Sequence, residues 1–450
     1  MKTKVAILGF GMEGKDTLDY FLAKGASVSI FDKKEEKDLD LENIKSKVDL
    51  FLGEKYDLKL LKNFDLIVRS PGVYRYLPGI IAAEKSGAKI TSAIKIFFEE
   101  AKGKIIGITG TKGKGTTASL IYQILKDAGE DVYLAGNIGI AYLSLLPKLR
   151  KKSTVIMELS SFQLIDMDVS PQVAVVLNIT SDHLDWHKNL KEYVDSKKNI
   201  VKFQKKSDYA VINADYEIPR SFAKETKAQV IFFGKVAPTN GCFIEGDEII
   251  LARKEERISL GKKHWPLLRG EHNLENITAA ITVGSLLGID EETIKKVVFS
   301  FKGLEHRLEL VDSVGGVSFY NDSFATGPQP TIAAANSFEE PLTLILGGYD
   351  KKLDYKELGK IISKKKNVVL VVLIGQVGEK IKTELKNAGF KGKISQLGKT
   401  SMKKIVYEAF SNTPKGGVVL LSPAAASFDM FTNYKERGKK FKEAVFALAK

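Results

Sequence analysis

The chain has 450 residues, with 69 Lys and Arg against 55 Asp and Glu and a formal net charge of +14. That length suits roughly two to four domains around sizeable cores. One cysteine, Cys242, excludes a disulfide framework and a CxxC metal cluster and fits a reducing compartment. The longest apolar run, Val368 to Ile374, is far shorter than the ~20 residues a membrane helix needs. The N-terminus lacks a signal-peptide cleavage pattern. We therefore expect a cytoplasmic protein with no membrane insertion. The lysines are interleaved with Glu and Asp, and no RNP, zinc-finger or basic-arm pattern appears. The charge reads as a solvated surface suited to anionic small substrates, and no nucleic-acid partner is expected.

In chain order, Val5-Ala-Ile-Leu-Gly-Phe-Gly-Met-Glu-Gly14 predicts a strand followed by Gly-x-Gly-x-x-Gly. A helix is predicted at 17–24, and a second strand at 26–31 ends at Asp32. This is a Rossmann-like arrangement: a phosphate turn, then an acidic residue placed to meet a ribose. It suits any ligand made of a diphosphate, a sugar and a base. Asp65-Leu-Ile-Val-Arg-Ser-Pro-Gly72 is a further strand ending in a turn, and helices are predicted at 82–86 and 94–101.

A second α/β series begins at Lys104. Its apolar strands are predicted at 155–158, 173–178, 209–213 and 230–233, with a hairpin around Gly246-Asp247. Helices are predicted at 276–287 and 291–299. A third series starts near Ser300. Strands at 342–348, 368–374, 393–397 and 418–422 alternate with helices at 355–363, 379–388, 401–410 and 435–448. The expected fold is α/β in three domains, each a Rossmann-like or P-loop-type sheet, at 1–93, 94–299 and 300–450.

The second series opens with Lys104-Ile-Ile-Gly-Ile-Thr-Gly-Thr-Lys-Gly-Lys-Gly-Thr-Thr117. Strand, glycine turn and helix start together form a cradle for phosphate. Gly110, Thr111, Lys112, Gly113, Lys114 and Gly115 supply backbone N–H groups. Lys114 would sit on the terminal phosphates, and Thr116 or Thr117 would offer a hydroxyl to Mg²⁺. The spacing departs from the usual pattern, so an ordinary glycine turn is the alternative. Glu158 closes one strand, and Asn178-Ile-Thr-Ser-Asp-His183 closes another. A carboxylate, an imidazole and a hydroxyl can share Mg²⁺ held by nucleotide phosphates. Asn273 and Asn276 either cap a helix or read a nucleoside edge. Arg307, Asp322 and Lys351 stand near strand ends, where a cation clamps phosphate or carboxylate.

The set of motifs resembles the Mur ligase family of ATP-dependent amide-bond-forming enzymes. Gly110-Thr-Lys-Gly-Lys114, Gly136-Asn-Ile-Gly139, Glu158-Leu-Ser-Ser, Asn178-Ile-Thr-x-Asp-His183, His272-Asn-x-x-Asn276, His306-Arg307 and Asn321-Asp-Ser stand in the family's order along the full chain. Ser422-Pro-Ala-Ala-Ala-Ser-Phe-Asp-x-Phe-x-x-Tyr-x-x-Arg-Gly438 is similar to the branch that adds D-glutamate to UDP-N-acetylmuramoyl-L-alanine.

The resemblance implies an ATP-dependent ligase of peptidoglycan synthesis, working through an acyl phosphate, with domain closure over its substrates. UDP-substrate contacts would come from Gly11, Met12, Glu13, Asp32, Lys33, Ser70, Pro71, Gly72, Asn137, Ser160, Gln163 and His183. ATP would meet residues 110–117 together with Asn273, Asn276, Arg307 and Asp322. The catalytic set would be Lys114, Glu158, His183 and Lys197. Mg²⁺ would be held by Thr116, Glu158, His183 and Lys197, the last as a carbamate, with Lys198 a rival position. D-Glutamate would meet Thr326, Lys351, Ser427, Phe428 and Tyr434. The expected partners are these small molecules alone, and a monomer is expected. The chain departs from the family in two places: Gly115 replaces a hydroxyl residue, and Phe324 stands where a lysine is usual. A folylpolyglutamate-synthase-like ligase and a nucleotide-binding regulator on the same fold are the alternatives.

Overall fold

The structure is a computed structural model that describes residues 2–41, 44–136, 140–254 and 256–448. Two compact units are present: Met1–Lys263 with Glu275–Val298, and His264–Leu274 with Phe299–Lys450.

The first unit opens with a five-stranded parallel sheet. Its strands are Lys4–Leu8 (β1), Ser27–Asp32 (β2), Asp49–Leu52 (β3), Leu66–Arg69 (β4) and Lys89–Thr91 (β5), in the order β3-β2-β1-β4-β5. Strand order reverses at β1, so the turns after β1 and β4 face the same crevice. The helix predicted from residue 17 begins earlier and runs Met12–Ala23. Gly14 allows this start, because a Cβ there would sit 2.3 Å from the Gly9 carbonyl oxygen.

The next sheet holds Lys104–Thr109 (β6), Val132–Gly136 (β7), Thr154–Glu158 (β8), Val173–Val176 (β9), Tyr209–Asn213 (β10) and Gln229–Phe233 (β11). All run parallel in the order β11-β10-β9-β6-β8-β7. β6 is central, and β8 and β9 are its neighbours. Their C-terminal ends carry the glycine loop, Glu158 and the 178–183 segment, so residues far apart in sequence meet at one sheet edge. Near-continuous Val, Ile and Ala runs suit strands covered on both faces.

The alternating stretch expected as a hairpin forms three antiparallel strands: Asn240–Glu245 (β12), Glu248–Arg253 (β13) and Glu256–Lys262 (β14). The turn lies at Gly246-Asp247, as the sequence predicts. The helix expected from residue 276 starts five residues earlier and runs Glu271–Leu286.

The second unit has Glu309–Val314 (β15), Val317–Asn321 (β16), Leu342–Gly347 (β17), Val368–Ile374 (β18), Lys393–Gly398 (β19) and Val418–Leu421 (β20). The order is β15-β16-β20-β17-β18-β19, parallel except for the edge pair β15–β16. Helices Lys356–Lys364, Gly378–Asn387 and Met402–Ser411 each lie within one residue of the predicted ranges. Strands β3, β5, β7, β15 and β19 stand at sheet edges, and the first four carry no strand prediction. β3 and β5 are only four and three residues long, and one neighbour supports each.

Within the first unit, one hydrophobic core runs from Leu18, Phe21 and Phe97 to Tyr142, Leu145 and Met157. A buried arginine reinforces it. Arg69, at the end of β4, faces Asp166 in bidentate fashion, with Nε–Oδ2 at 3.1 Å and Nη2–Oδ1 at 2.8 Å. Its Nη1 donates to the Val73 carbonyl at 2.8 Å, and Nη2 donates to the Phe162 carbonyl at 2.9 Å. Asp16 accepts from the Leu143 and Ser144 amides at 2.7 and 3.0 Å. These bonds tie the 70–73 turn to the segment after Glu158. Arg69→Ala removes the bidentate partner of Asp166, leaving it only Arg75 Nε at 3.7 Å, and strands several carbonyls. We expect it to cost on the order of 3–5 kcal/mol, read as a lowered urea midpoint of the first unfolding transition.

Candidate active site

A cavity of about 760 Å³ opens at the switch point of the first sheet. Gly9, Gly11, Met12 and Glu13 line it from the first turn, Asp32 and Lys33 from the end of β2, and Ser70, Pro71 and Gly72 from the end of β4. Eight of the residues expected to hold the UDP substrate thus converge on one space. Asp32 also shapes it: its carboxylate accepts from the Phe10 amide at 2.7 Å and the Lys34 amide at 2.9 Å. Ser70 Oγ donates to the Gly9 carbonyl at 2.8 Å and joins the two turns.

Ser160 and Gln163 are not in the lining. They form a capping box at the helix Ser161–Leu164. Gln163 Nε2 donates to Glu13 Oε1 at 2.8 Å and to the Tyr142 hydroxyl at 2.6 Å, so it acts from behind the cavity wall. Asn137 lies outside the described residues. Tyr56, Tyr74, Tyr142, Asp185 and Trp186 also line the cavity, and sequence reasoning did not single them out. Asp185-Trp186 follows His183 directly, which was a usable signal. Nothing local marked the tyrosines.

At the end of β6, the glycine loop is braced on several sides. The Thr111 amide donates to the Asn178 carbonyl at 2.8 Å, and the Thr180 amide donates to Thr111 Oγ1 at 2.9 Å. Gly113 takes a left-handed conformation (φ 86°) as N-cap of the helix Lys114–Asp127. A Cβ there would fall 2.2 Å from Asn276 Oδ1. The N–H groups of the first helical turn therefore open beside the loop, which is the geometry of an anion cradle. Lys114 Nζ donates to the Gly110 and Thr111 carbonyls, each at 3.1 Å. Thr117 is fully buried and donates to Asn276 Oδ1 at 3.2 Å, whereas Thr116 is half-buried. Gly115 is buried and Lys112 exposed.

Lys197 lies beneath this loop. It comes from the helix Leu190–Lys202 and is 2% exposed. Its Nζ donates to the Gly110 carbonyl at 2.9 Å and lies 3.4 Å from Thr109 Oγ1. Burial, then the nearby charge of Lys114, drives its pKa well below the usual lysine range, while Asp182 and Glu158 oppose the shift. Lys198, the rival, points outward and pairs with Glu225 at 3.2 Å. His183 has a left-handed backbone (φ 52°) and packs its ring 4.7 Å from that of Phe162. Its Nε2 lies 3.6 Å from Asp182 Oδ2. Among the described residues, no three His, Cys, Asp or Glu side chains form a metal-holding group. Carboxylate, imidazole and hydroxyl nonetheless share one sheet edge, a donor set that suits Mg²⁺ once phosphate oxygens join it, and the Lys197 amine beside them would add oxygen donors only as a carbamate.

In the second unit, Asp322 is buried. It accepts from Ser422 Oγ at 2.7 Å and the Leu308 amide at 3.2 Å. Burial pushes its carboxyl up to about 7. Asn273 Nδ2 donates to the Arg269 carbonyl at 2.7 Å, a helix-start role. The guanidinium of Arg307 lies 4.0 Å from the centre of the Phe324 ring, and Phe324 meets Tyr434 edge to face at 5.1 Å. Lys351 Nζ stands 5.6 Å from the centre of the Phe428 ring. Phe428 is exposed, Ser427 buried and Thr326 half-buried. Arg437, which sequence reasoning noted only within a signature, is buried beneath them. It donates to Ser323 Oγ and to the Ser323 and Ala425 carbonyls at 2.8 to 3.0 Å.

Glu13 combines a buried carboxyl, an unpartnered Oε2 and a pKa pushed up to about 7 by desolvation. Its folded-state pKa lies above the unfolded value, so ionisation destabilises the native state as pH rises from the unfolded towards the folded pKa. Glu13→Gln keeps an acceptor for Gln163 and removes that charge. Its gain in Tm over the parent should be larger near pH 8 than near pH 5, as thermal melts at both pH values would check.

Three family models match successive stretches: the Mur ligase MurD-like N-terminal domain at 3–92, the Mur ligase middle domain at 108–284 and the Mur ligase glutamate ligase domain at 306–425. The UDP-N-acetylmuramoylalanine–D-glutamate ligase of Acetivibrio thermocellus is 42% identical, covering 98% of this chain and 96% of that protein. The protein of the same name from Clostridium botulinum is 37% identical, covering 99% and 97%. Among solved structures, the UDP-N-acetylmuramate-alanine ligase of Thermotoga maritima has a TM-score of 0.59 at 18% identity, covering 99% of both chains. A pseudomurein peptide ligase type C from Methanothermus fervidus has a TM-score of 0.56 at 19% identity, covering 99% and 100%. Those two likenesses concern the fold. The full-length sequence matches go further, and by them the chain belongs to the Mur ligase family.

Proposed function

We propose that this chain is an ADP-forming ligase of peptidoglycan precursor synthesis that joins D-glutamate to UDP-N-acetylmuramoyl-L-alanine at the expense of ATP. The observation that carries this reading is the full-length relationship: relatives 36–42% identical over 98–99% of the chain bear that ligase's name. The domains are taken as 1–93, 94–299 and 300–450. Among the described residues no helix is long and apolar enough to cross a membrane. The reading is a cytoplasmic monomer acting on small molecules.

In this reading the cavity of the first sheet receives the UDP moiety. Its glycine turn meets the diphosphate, and Asp32, Lys33 and the 70–72 turn meet the nucleoside. ATP lies on residues 110–117, where backbone N–H groups and Lys114 meet phosphate charge. Thr116, Glu158, His183 and carbamylated Lys197 would hold Mg²⁺, which would supply further neutralisation of phosphate charge. Thr116 is preferred to Thr117, whose hydroxyl is committed to Asn276. An oxygen of the alanyl carboxylate attacks the γ-phosphorus, and the bond to ADP breaks. The neutral D-glutamate amine then attacks the carbonyl carbon, the carbonyl carbon–oxygen bond to the phosphoryl group breaks, phosphate leaves, and the nitrogen releases one proton to solvent. Lys114 and Arg307 counter the charge that builds during transfer. Lys351, Ser427, Thr326, Phe428 and Tyr434 orient the amino acid.

Burial of Lys197 supports the carbamate. Only a neutral amine attacks CO₂, and desolvation favours that form. The product is an anion with two oxygen donors, formed with release of one proton.

Phosphate release from ATP should require both D-glutamate and UDP-N-acetylmuramoyl-L-alanine, and Lys114→Ala should abolish it. Stimulation by another amino acid or by a folate, with none by D-glutamate, would refute the specificity. Lys197→Ala should abolish turnover while Lys198→Ala leaves it near wild type. Enzyme stripped of CO₂ should regain activity when bicarbonate is added, which steady-state assays in degassed buffer would follow.

A further inference from the structure

Phe324 follows β16 closely, and its surroundings explain what it does. The backbone around Arg307 is tightly determined. His306 and Leu308, on either side, both have left-handed conformations, with φ of 67° and 46°. The Arg307 amide donates to the Leu304 carbonyl at 3.0 Å, and the Phe324 amide donates to the His306 carbonyl at 3.0 Å. The Asn321 side chain meets His306 Nδ1 at 2.9 Å, and the Leu308 amide reaches Asp322 Oδ1 at 3.2 Å.

The Arg307 side chain has no such backbone brace. Among the described residues, its guanidinium forms no ion pair within 4 Å, and its contact is the face of Phe324 at 4.0 Å. Phe324 is 41% exposed, more than a core aromatic would be, and Tyr434 supports it edge-on at 5.1 Å. Stacking engages the face of the guanidinium and leaves its in-plane N–H groups free for a phosphate or carboxylate. A lysine here would instead put a second cation beside Arg307.

We propose that Phe324 is a positioning residue that holds Arg307 ready, by stacking, for the nucleotide phosphate charge in the ligase reaction. This rests on the ligase reading above. Phe324 itself touches no reacting group; it acts through Arg307. Losing the stack costs freedom in Arg307 and not the fold, because the Phe324 side chain is largely at the surface.

The test is steady-state phosphate release with ATP varied, for wild type, F324A, F324W, F324K, R307A and the F324A/R307A pair. Thermal melts would confirm that each variant is folded. F324A should lower kcat/KM for ATP roughly two- to fivefold, the size of an exposed cation–π contact. KM for the UDP substrate should not move. F324W should restore the wild-type value, and F324K should fall below F324A because it repels Arg307. In the R307A background, F324A should add no further loss. Equal losses from F324A with and without Arg307, no loss in F324A, or an F324K enzyme as good as wild type would each overturn the proposal. In those cases wild-type turnover leaves the ligase reading intact. If the wild-type protein releases no phosphate with all three substrates, the ligase reading fails and this proposal fails with it.

Discussion

A lysine amine buried beneath a glycine loop is the constraint on which the first unit's chemistry depends. Lys197 has almost no contact with water, and its Nζ is held by the Gly110 carbonyl and approached by Thr109 Oγ1. A charged amine in that position pays a desolvation cost that neutral hydrogen bonds only partly offset. Lys114, directed onto the same loop, makes the charged form worse. Burial and Lys114 therefore both lower the pKa of this amine, while Asp182 and Glu158 oppose them. The same helix carries Tyr193, whose hydroxyl meets Thr111 Oγ1 at 2.9 Å, so one element supports the loop at two points.

The second constraint is the buried pair of Arg69 and Asp166. A buried ion pair is weak evidence for stability in itself, but its removal by halves is costly. Here it joins the turn after β4 to the segment that follows Glu158, and Asp16 adds backbone hydrogen bonds to the helix Tyr142–Leu145. The cavity at the first sheet thus takes Tyr142, Asp185 and Trp186 from the second sheet's connections. A continuous core behind it explains why the first two sheets form one compact unit. Glu13 marks where this packing meets function: a carboxyl in a phosphate-type turn, with raised pKa and one oxygen unpartnered.

In the second unit, strained backbone and aromatic stacking share one task. Residues outside glycine with positive φ flank Arg307, and they persist because Asn321, Asp322 and the Phe324 amide fix that turn. Arg437, itself buried, plays the corresponding part below Ser323 and Ala425. In both places a short sequence signature corresponds to a hydrogen-bond network, and the side chain with the functional reading rests on it.

The sequence by itself determined the α/β class, the strand–turn–helix units and the family. Apolar runs such as Val368–Ile374 and Ile105–Ile108 read as buried strands because they are short and rich in Val and Ile, and the glycine turns need φ values that only glycine takes easily. The order of motifs along the chain needs no coordinates. Tertiary structure decided everything that depends on a neighbour distant in sequence. It separated buried Lys197 from half-buried Lys198, which stand side by side in the chain. It engaged Thr117 with Asn276 and left Thr116 more open. It moved Gln163 behind the cavity and brought Trp186 and three tyrosines into it. It also gave Phe324 a partner in Arg307. Edge strands such as β3 and β5 escaped notice for the same reason: their few residues are extended because a neighbouring strand offers hydrogen bonds, not because their own pattern demands it.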